Sequence, residues 1–380
     1  MVKRIGIIVN SKLHIFSSGM IQHAYYLKQT IENIGFPCDF LSIENTASIF
    51  GYKDIPIKQL SLNKSIFNPA DYCLILTFSA SLLKDEYDMM KKVGASVISY
   101  ITGNHLYQDE SCFLTDGLTN IYSFISKTCS DELWILPHFM FQQKYLETVR
   151  GRPSRGVPML WSNEIIEQIA LKTNDVGILK YNPSVHTTTK MNILITEPNL
   201  FFVKNAWFPI IACEHLHSLN PSLLEETFVF NWPQTKTAQS MIDALTISSK
   251  IRKFKRLPMV EILKHFNKAS PMPIFVSYAH NNGLNYNHYE CLYYGYPLVH
   301  NSIEIKDYGY YYEGQDIEAC GKAILYALAN HNNHLETYIQ KSRLYLETID
   351  PNNAEIKKVY SQFIQEALTN YASPICNTIN

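Results

Sequence analysis

Short apolar runs alternate along this chain with longer segments in which apolar residues recur at helical spacing. Arg4–Val9 is the first run, and a helix is predicted over about 20–34, where Ile21, Ala24, Tyr25, Leu27, Ile31 and Ile34 share one face before Gly35 stops it. Further strands are predicted at Asp39–Ile43, Tyr72–Thr77, Ser96–Ile101 and Glu132–Leu136, with helices over Leu82–Val93 and Glu164–Leu171. The rhythm restarts with a strand at Met191–Thr196, a helix from about Ala206 to His217, a strand at Glu226–Phe230 and helices over Thr237–Leu245 and Met259–Phe266. A short strand bounded by Pro273, Ile274–Val276, leads to a helix over about Asn285–Tyr294, which Gly295 and Pro297 end, and then to Leu298–Val299. Three helices close the chain, at Ile317–Asn330, His334–Thr348 and Asn353–Leu368. Strands alternating with helices predict parallel sheets covered on both faces.

Around 174–190 the periodicity lapses into a polar segment, which marks a boundary. We expect a first Rossmann-like domain over 1–188, a second over 189–350, and a closing helix in 351–380. Two doubly wound α/β halves facing one another across a cleft would take ligands at the carboxyl ends of both sheets. The first strand and helix lack the full G-x-G-x-x-G fingerprint, although a Ser17-Ser18-Gly19 turn leads into that helix. The richest stretch is Phe275–Tyr312, a strand–loop–helix–strand unit whose right-handed crossover brings both polar loops to one sheet edge. The helix start at Asn285-Tyr286 aims free N–H groups and a positive dipole end at that edge, suited to a phosphate. Glu290, further in, is placed to accept hydrogen bonds from a ribose. The competing reading is an ordinary crossover whose helix caps itself.

Composition narrows the class. With 46% hydrophobic and 18% charged residues the chain is an ordinary globular protein, and a net charge of −1 supplies no global field toward nucleic acid or an acidic membrane. The cysteines (Cys38, Cys73, Cys112, Cys129, Cys213, Cys291, Cys320 and Cys376) form no C-x-x-C pair, so we expect buried thiols in a reducing compartment, not a disulfide frame or zinc site. No signal peptide is read before the first strand and no apolar run approaches the roughly 18 residues that span a bilayer, so the expected location is cytoplasmic.

Several blocks resemble a family of unknown function found in bacteria and bacteriophages and regarded as glycosyltransferase-like. They are DELWILP (131–137), VPMLWS (157–162), ITEPN with a following lysine (195–204), the stretch 275–302 and GYYYEGQDIEA (309–319). The first hundred or so residues match in layout more than in residues, and an Ala-His pair stands near 279–280 where the pattern has His-Gln. The resemblance implies a GT-B fold with a nucleotide-sugar donor, UDP-sugar favoured, bound in the C-terminal half. Carried onto this sequence, the donor side comprises the Glu197-Pro198-Asn199 loop, Lys204 as the cation facing the diphosphate, Asn285, Tyr286, Glu290 on the ribose, and His300, Asn301 and Ser302 near the sugar. Lys204 as a solvated loop lysine and His300 as a core histidine are the plain alternatives. No Asp-x-Asp pair sits at an open strand end, so no obligatory metal is expected.

A hydroxyl acceptor must lose a proton to attack the anomeric carbon. The base candidates at carboxyl-edge loops of the first domain are His14, His23, His105 and Asp109, with His105 preferred and Asp109 next. The acceptor side is expected to include Ser18, Gly19 and Trp161. The favoured acceptor is 5-hydroxymethylcytosine in phage DNA, in the host cytoplasm, because the basic run Lys250–Arg256, with Lys253, Lys255 and Arg256 around Phe254, is suited to backbone phosphates. The alternatives are a cell-surface or lipid-linked glycan acceptor, a nucleotide-sugar epimerase, or a non-catalytic binding module.

Overall fold

The computed structural model describes residues 3–10, 15, 19–42, 48–49, 55–59, 68–78, 82–114, 129–172, 177–199, 202–268 and 271–371. The chain divides into two compact units, one of Met1–Ser162 with Glu347–Asn380, the other of Asn163–Leu346. The polar segment that suggested a boundary at 188 lies inside the second unit, and the closing helix belongs to the first.

In the first unit, β1 (Arg4–Ile8), β2 (Cys38–Ser42), β3 (Ser48–Ile49), β4 (Ile55–Gln59), β5 (Tyr72–Phe78), β6 (Ser96–Ile101), β7 (Glu132–Ile135) and β8 (Ser154–Gly156) form a sheet in the order β3-β4-β2-β1-β5-β6-β7-β8. All pairings are parallel except β3 with β4. Helix α1 (Gly19–Asn33) follows β1, α2 (Lys84–Lys92) precedes β6, α3 (His105–Leu114) follows it, and α4 (Gln143–Arg150) leads to β8. Past Arg4, the central strands β1 and β5 are buried and almost wholly apolar, as parallel strands covered on both faces require. Helix α11 (Ala354–Tyr371) covers one face: Tyr360 and Phe363 pack at 6.3 and 6.0 Å from the Trp134 ring, and Ser96 Oγ donates to Ala367 O at 2.9 Å. A buried file of polar atoms crosses this core, from His23 Nε2 to Tyr100 OH (2.9 Å), Tyr100 to Tyr360 OH (2.6 Å) and Tyr360 to Pro158 O (2.9 Å).

The second unit opens with α5 (Glu164–Lys172) and continues with β9 (Met191–Ile195), α6 (Trp207–Leu219), β10 (Leu224–Val229), α7 (Lys236–Asp243), β11 (Ile251–Lys253) and α8 (Met259–Phe266). It is completed by β12 (Met272–Val276), α9 (Tyr286–Tyr294), β13 (Leu298–His300), β14 (Tyr310–Tyr311) and α10 (Ile317–Thr348). The sheet order is β11-β10-β9-β12-β13-β14, all parallel. Chain order therefore reverses between β9 and β12, where a doubly wound sheet opens a crevice at its carboxyl edge. Strand β12 runs through Pro273, expected only to bound it. Phe275 and Ser277 donate toward β13, to Pro297 and Val299, so the N–H that proline lacks would face a stretch that β13 has not reached.

The basic run Lys250–Arg256 contains the edge strand β11. The two helices predicted across 317–348 are one helix of 32 residues. The polar run that suggested a break is hydrogen-bonded inward: His331 bonds Tyr310 OH (2.8 Å) and Gly295 O (2.9 Å), while Asn332 bonds His186 O (3.2 Å) and accepts from Tyr181 OH (2.6 Å). Among the described residues no helix is long and apolar enough to cross a membrane.

Gly295 closes α9 in the left-handed region at φ +77°, and a Cβ there would lie 2.9 Å from Ile339 Cδ1. Gly295→Ala is expected to cost about 1–3 kcal/mol of unfolding free energy, measured as a lower urea midpoint at unchanged slope; an unmoved midpoint would show that neither strain nor crowding operates there.

Candidate functional site

The carboxyl ends of β9 and β12 carry the densest set of buried polar groups in the second unit. After β9 the chain turns through Glu197, which is 1% exposed, and Asn199, whose φ of +53° lies in the left-handed region. Asn199 serves the backbone: Nδ2 donates to Asn231 O at 3.0 Å and Oδ1 accepts from Ala206 N at 2.7 Å, seating the start of α6. Asn231, also left-handed at φ +57°, donates back to Glu197 O at 3.2 Å. The two asparagines thus fix the turn that presents the Glu197 carboxyl.

Lys204 lies further along this loop. The residue is half-buried, and its ammonium donates to Leu284 O at 3.1 Å, directly before the cap of α9. Burial brings its pKa down to about 8, while Glu197 and Glu304 oppose the loss of its proton. Glu197 is pushed above the ordinary carboxyl range by burial, against the pull of Lys204, the Ser277 hydroxyl and the Tyr278 N–H.

Helix α9 begins where the sequence suggested, but it caps itself. Asn285 is its cap, with the side chain accepting from Asn287 N at 3.2 Å, and Tyr286 is its first residue. Glu290, 8% exposed, is pushed up to about 8 by burial alone.

The loop after β13 does other work than expected. Both nitrogens of His300 are committed: Nε2 donates to Tyr308 O at 2.7 Å and Nδ1 accepts from Ser302 N at 3.1 Å. Burial lowers its pKa to about 4. Asn301 accepts from Ala279 N and donates to Ala279 O and Gly314 O, each at 2.9 Å, and Ser302 Oγ donates to Gly283 O. These three side chains tie loops together instead of reading a sugar. A Cβ at Gly283 would lie 2.2 Å from Glu304 Oε2 and 2.7 Å from Ser302 Oγ, so any other residue there would displace those side chains.

Three residues passed over in the sequence join the site. Ser277 Oγ donates to Glu197 Oε1, His288 Nε2 lies 2.8 Å from Ser277 Oγ, and Glu304 faces Lys204. Each stands within a few residues of a strand end or in the first turn of α9; that placement was the available signal.

Elsewhere the expected residues scatter. Trp161 is 3% exposed and offers no stacking face. Lys253 is bonded to Gln239 and lies 4.7 Å over the Trp232 ring, and Phe254 packs against Phe228 and Phe230. Lys255 and Arg256 are exposed. Gly19 begins α1, whereas Ser18 and His14 lie outside the described residues. His23 is a core histidine, lowered to about 3 by burial. His105 opens α3 with Nδ1 3.4 Å from Arg150 Nη2, and burial and that cation lower it to about 3. One turn on, Asp109 accepts from Tyr145 OH and is raised by burial. Among the described residues no group of three or more His, Cys, Asp or Glu side chains is arranged to hold a metal ion.

The chain matches the family described as Protein of unknown function (DUF2827) over residues 4–364. It belongs to that family. No curated protein matches it. Among solved structures, the Anabaena protein HepE in complex with UDP superposes with a TM-score of 0.61 at 9% identity, over 96% of this chain and 100% of that one. A trehalose 6-phosphate synthase from Burkholderia multivorans gives 0.60 at 9% identity, over 97% and 99%. The lipopolysaccharide outer core galactosyltransferase WaaB in its apo form gives 0.55 at 10%, over 96% and 99%. These likenesses establish for this DUF2827 protein the GT-B fold, two parallel-sheet α/β domains.

Glu290 provides a test of this burial. With a folded pKa near 8 against an ordinary 4.5, the folded protein retains a proton that the unfolded chain has released, so this carboxyl costs stability as pH rises across that window. Glu290→Gln is expected to remove the trend: urea midpoints compared from pH 5 to 8.5 will show wild type losing ground to the variant. Parallel curves would place Glu290 in a wet environment.

Proposed function

We propose that this protein is a glycosyltransferase that binds a UDP-sugar at the β9/β12 edge and transfers the sugar to a carbohydrate hydroxyl. The observation that carries the reading is the start of α9: a capped helix N-terminus with an ammonium on the carbonyl just before it, and a buried carboxyl within. A departing diphosphate needs its charge met by groups already in position, and the positive end of the α9 dipole with Lys204 supplies it, the N–H groups of Asn287 and His288 being taken up by Asn285. Glu290 would accept from the ribose hydroxyls. A fold shared with proteins solved with UDP, or named for trehalose 6-phosphate and lipopolysaccharide, supports the same substrate class.

For the proton of the acceptor, Asp109 is the better base. His105 at about 3 binds a proton too weakly near neutral pH, whereas burial raises the Asp109 carboxyl, against the pull of Tyr145 and Arg150. The DNA acceptor has lost its support in this chain, since the basic run is an edge strand whose Lys253 and Phe254 are already engaged.

The deciding experiment titrates the protein with UDP, GDP, ADP and CMP, then offers the matching sugar donor to oligosaccharides and to hydroxymethylcytosine duplex DNA, with products read by mass spectrometry. We expect UDP to bind and a hexose-sized gain on a carbohydrate. Binding of none of the four would end the donor reading, and a gain on DNA alone would reverse the choice of acceptor. Lys204→Ala is expected to weaken UDP at least about tenfold. Asp109→Asn should lower kcat by about 100-fold or more with UDP affinity unchanged; full turnover in that variant would remove Asp109 from the chemistry.

A further inference from the structure

Beneath Lys204 lies a buried chain of three polar groups that donor binding does not itself require. Glu197 Oε1 accepts from the Ser277 hydroxyl, and Ser277 Oγ meets His288 Nε2 at 2.8 Å. Glu197 and His288 are 1% and 2% exposed, and Glu197 Oε2 and His288 Nδ1 have no hydrogen-bond partner among the described residues. The groups facing the ammonium are Glu197 from the β9 loop, Glu304 from the segment after β13 and His288 from α9, with His300 behind His288 at 5.9 Å between rings.

This ammonium and carboxylate have a neutral alternative, in which the proton moves from Lys204 to Glu197 and leaves an amine and an acid. Burial favours that alternative, because it removes two charges from a poorly solvated place. Donors that bond the anion favour the ion pair. Ser277 has a single hydroxyl proton. With His288 donating from Nε2 into Oγ, that proton can only point at Glu197, the arrangement that suits an ionised carboxylate. The direction requires a neutral imidazole protonated on Nε2. A charged one would bury an Nδ1–H without an acceptor beside Lys204, consistent with a His288 pKa held well below the ordinary range by burial.

We propose that Ser277 and His288 are positioning residues that keep Glu197 ionised and, through it, keep Lys204 charged toward the donor diphosphate. The statement about Lys204 stands by itself; the statement about the diphosphate rests on the UDP-sugar reading above.

The test is competitive labelling of lysines with acetic anhydride from pH 6 to 10, mapped to Lys204 by peptide mass spectrometry, with and without UDP. Ser277→Ala and His288→Ala are expected to move the Lys204 titration down by about one pH unit, a roughly fivefold rise in reactive amine near pH 7. His288→Gln, whose side-chain amide can still donate to Ser277, should stay near wild type. A merely structural role predicts that Gln and Ala behave alike, and that result, or identical Lys204 titrations in all variants, overturns the proposal. Should Ser277→Ala fail to fold, judged by near-ultraviolet circular dichroism, the His288 pair decides alone. Shielding of wild-type Lys204 by UDP is a separate readout: its absence sinks the donor reading and leaves the Lys204 comparison to decide the relay.

Discussion

Two parallel strands, β9 and β12, end side by side in the second sheet, and the chain leaves them toward opposite edges, to β10 and to β13. The loops diverge there, and both contribute side chains. Glu197 and Lys204 arrive from one loop, Ser277 and the start of α9 from the other, so a pair of strands in register sets four chemically important groups within reach of each other. The site depends on that pairing more than on any single side chain. The asparagine clasp at Asn199 and Asn231 and the tie from Asn301 to Ala279 are the means by which irregular backbone around the gap is held.

Much of this was legible from periodicity. Buried parallel strands are continuous apolar runs, and Met191–Ile195 and Tyr72–Phe78 announce themselves as such. The cap of α9 was equally plain, because Asn285 before a helix and Gly295 after it are local chemistry. What stayed hidden has a common cause: the residue's partner is distant in sequence. Asn332 reads as a helix breaker until Tyr181 and His186 are brought to it. Ser277 is an unremarkable serine until β12 lies against β9. Strands β11 and β14 are too short to show a period at all.

The same reasoning accounts for the residues whose expected roles changed. A polar side chain at a strand's carboxyl end may face ligand or satisfy the loop, and sequence does not distinguish the two. His300, Asn301 and Ser302 satisfy the loop, using their donors and acceptors on Tyr308, Ala279, Gly314 and Gly283. Glu290 and Glu197 differ: burial has raised both above the ordinary carboxyl range, and Glu197 Oε2 has no hydrogen-bond partner among the described residues.

The first unit is assembled from two stretches separated by the whole of the second. Its Trp134 ring and Ser96 hydroxyl wait for Tyr360, Phe363 and Ala367, which the ribosome delivers only after the whole of the second unit. At ordinary elongation rates the sheet stands with one face bare for about 10–40 s while residues 163–371 are made. The second unit, contiguous in the chain, has no such wait. Birth order therefore runs against chain order: the C-terminal unit can be complete while the N-terminal one still offers an apolar face to chaperones, and truncation within α11 would leave that face bare for good.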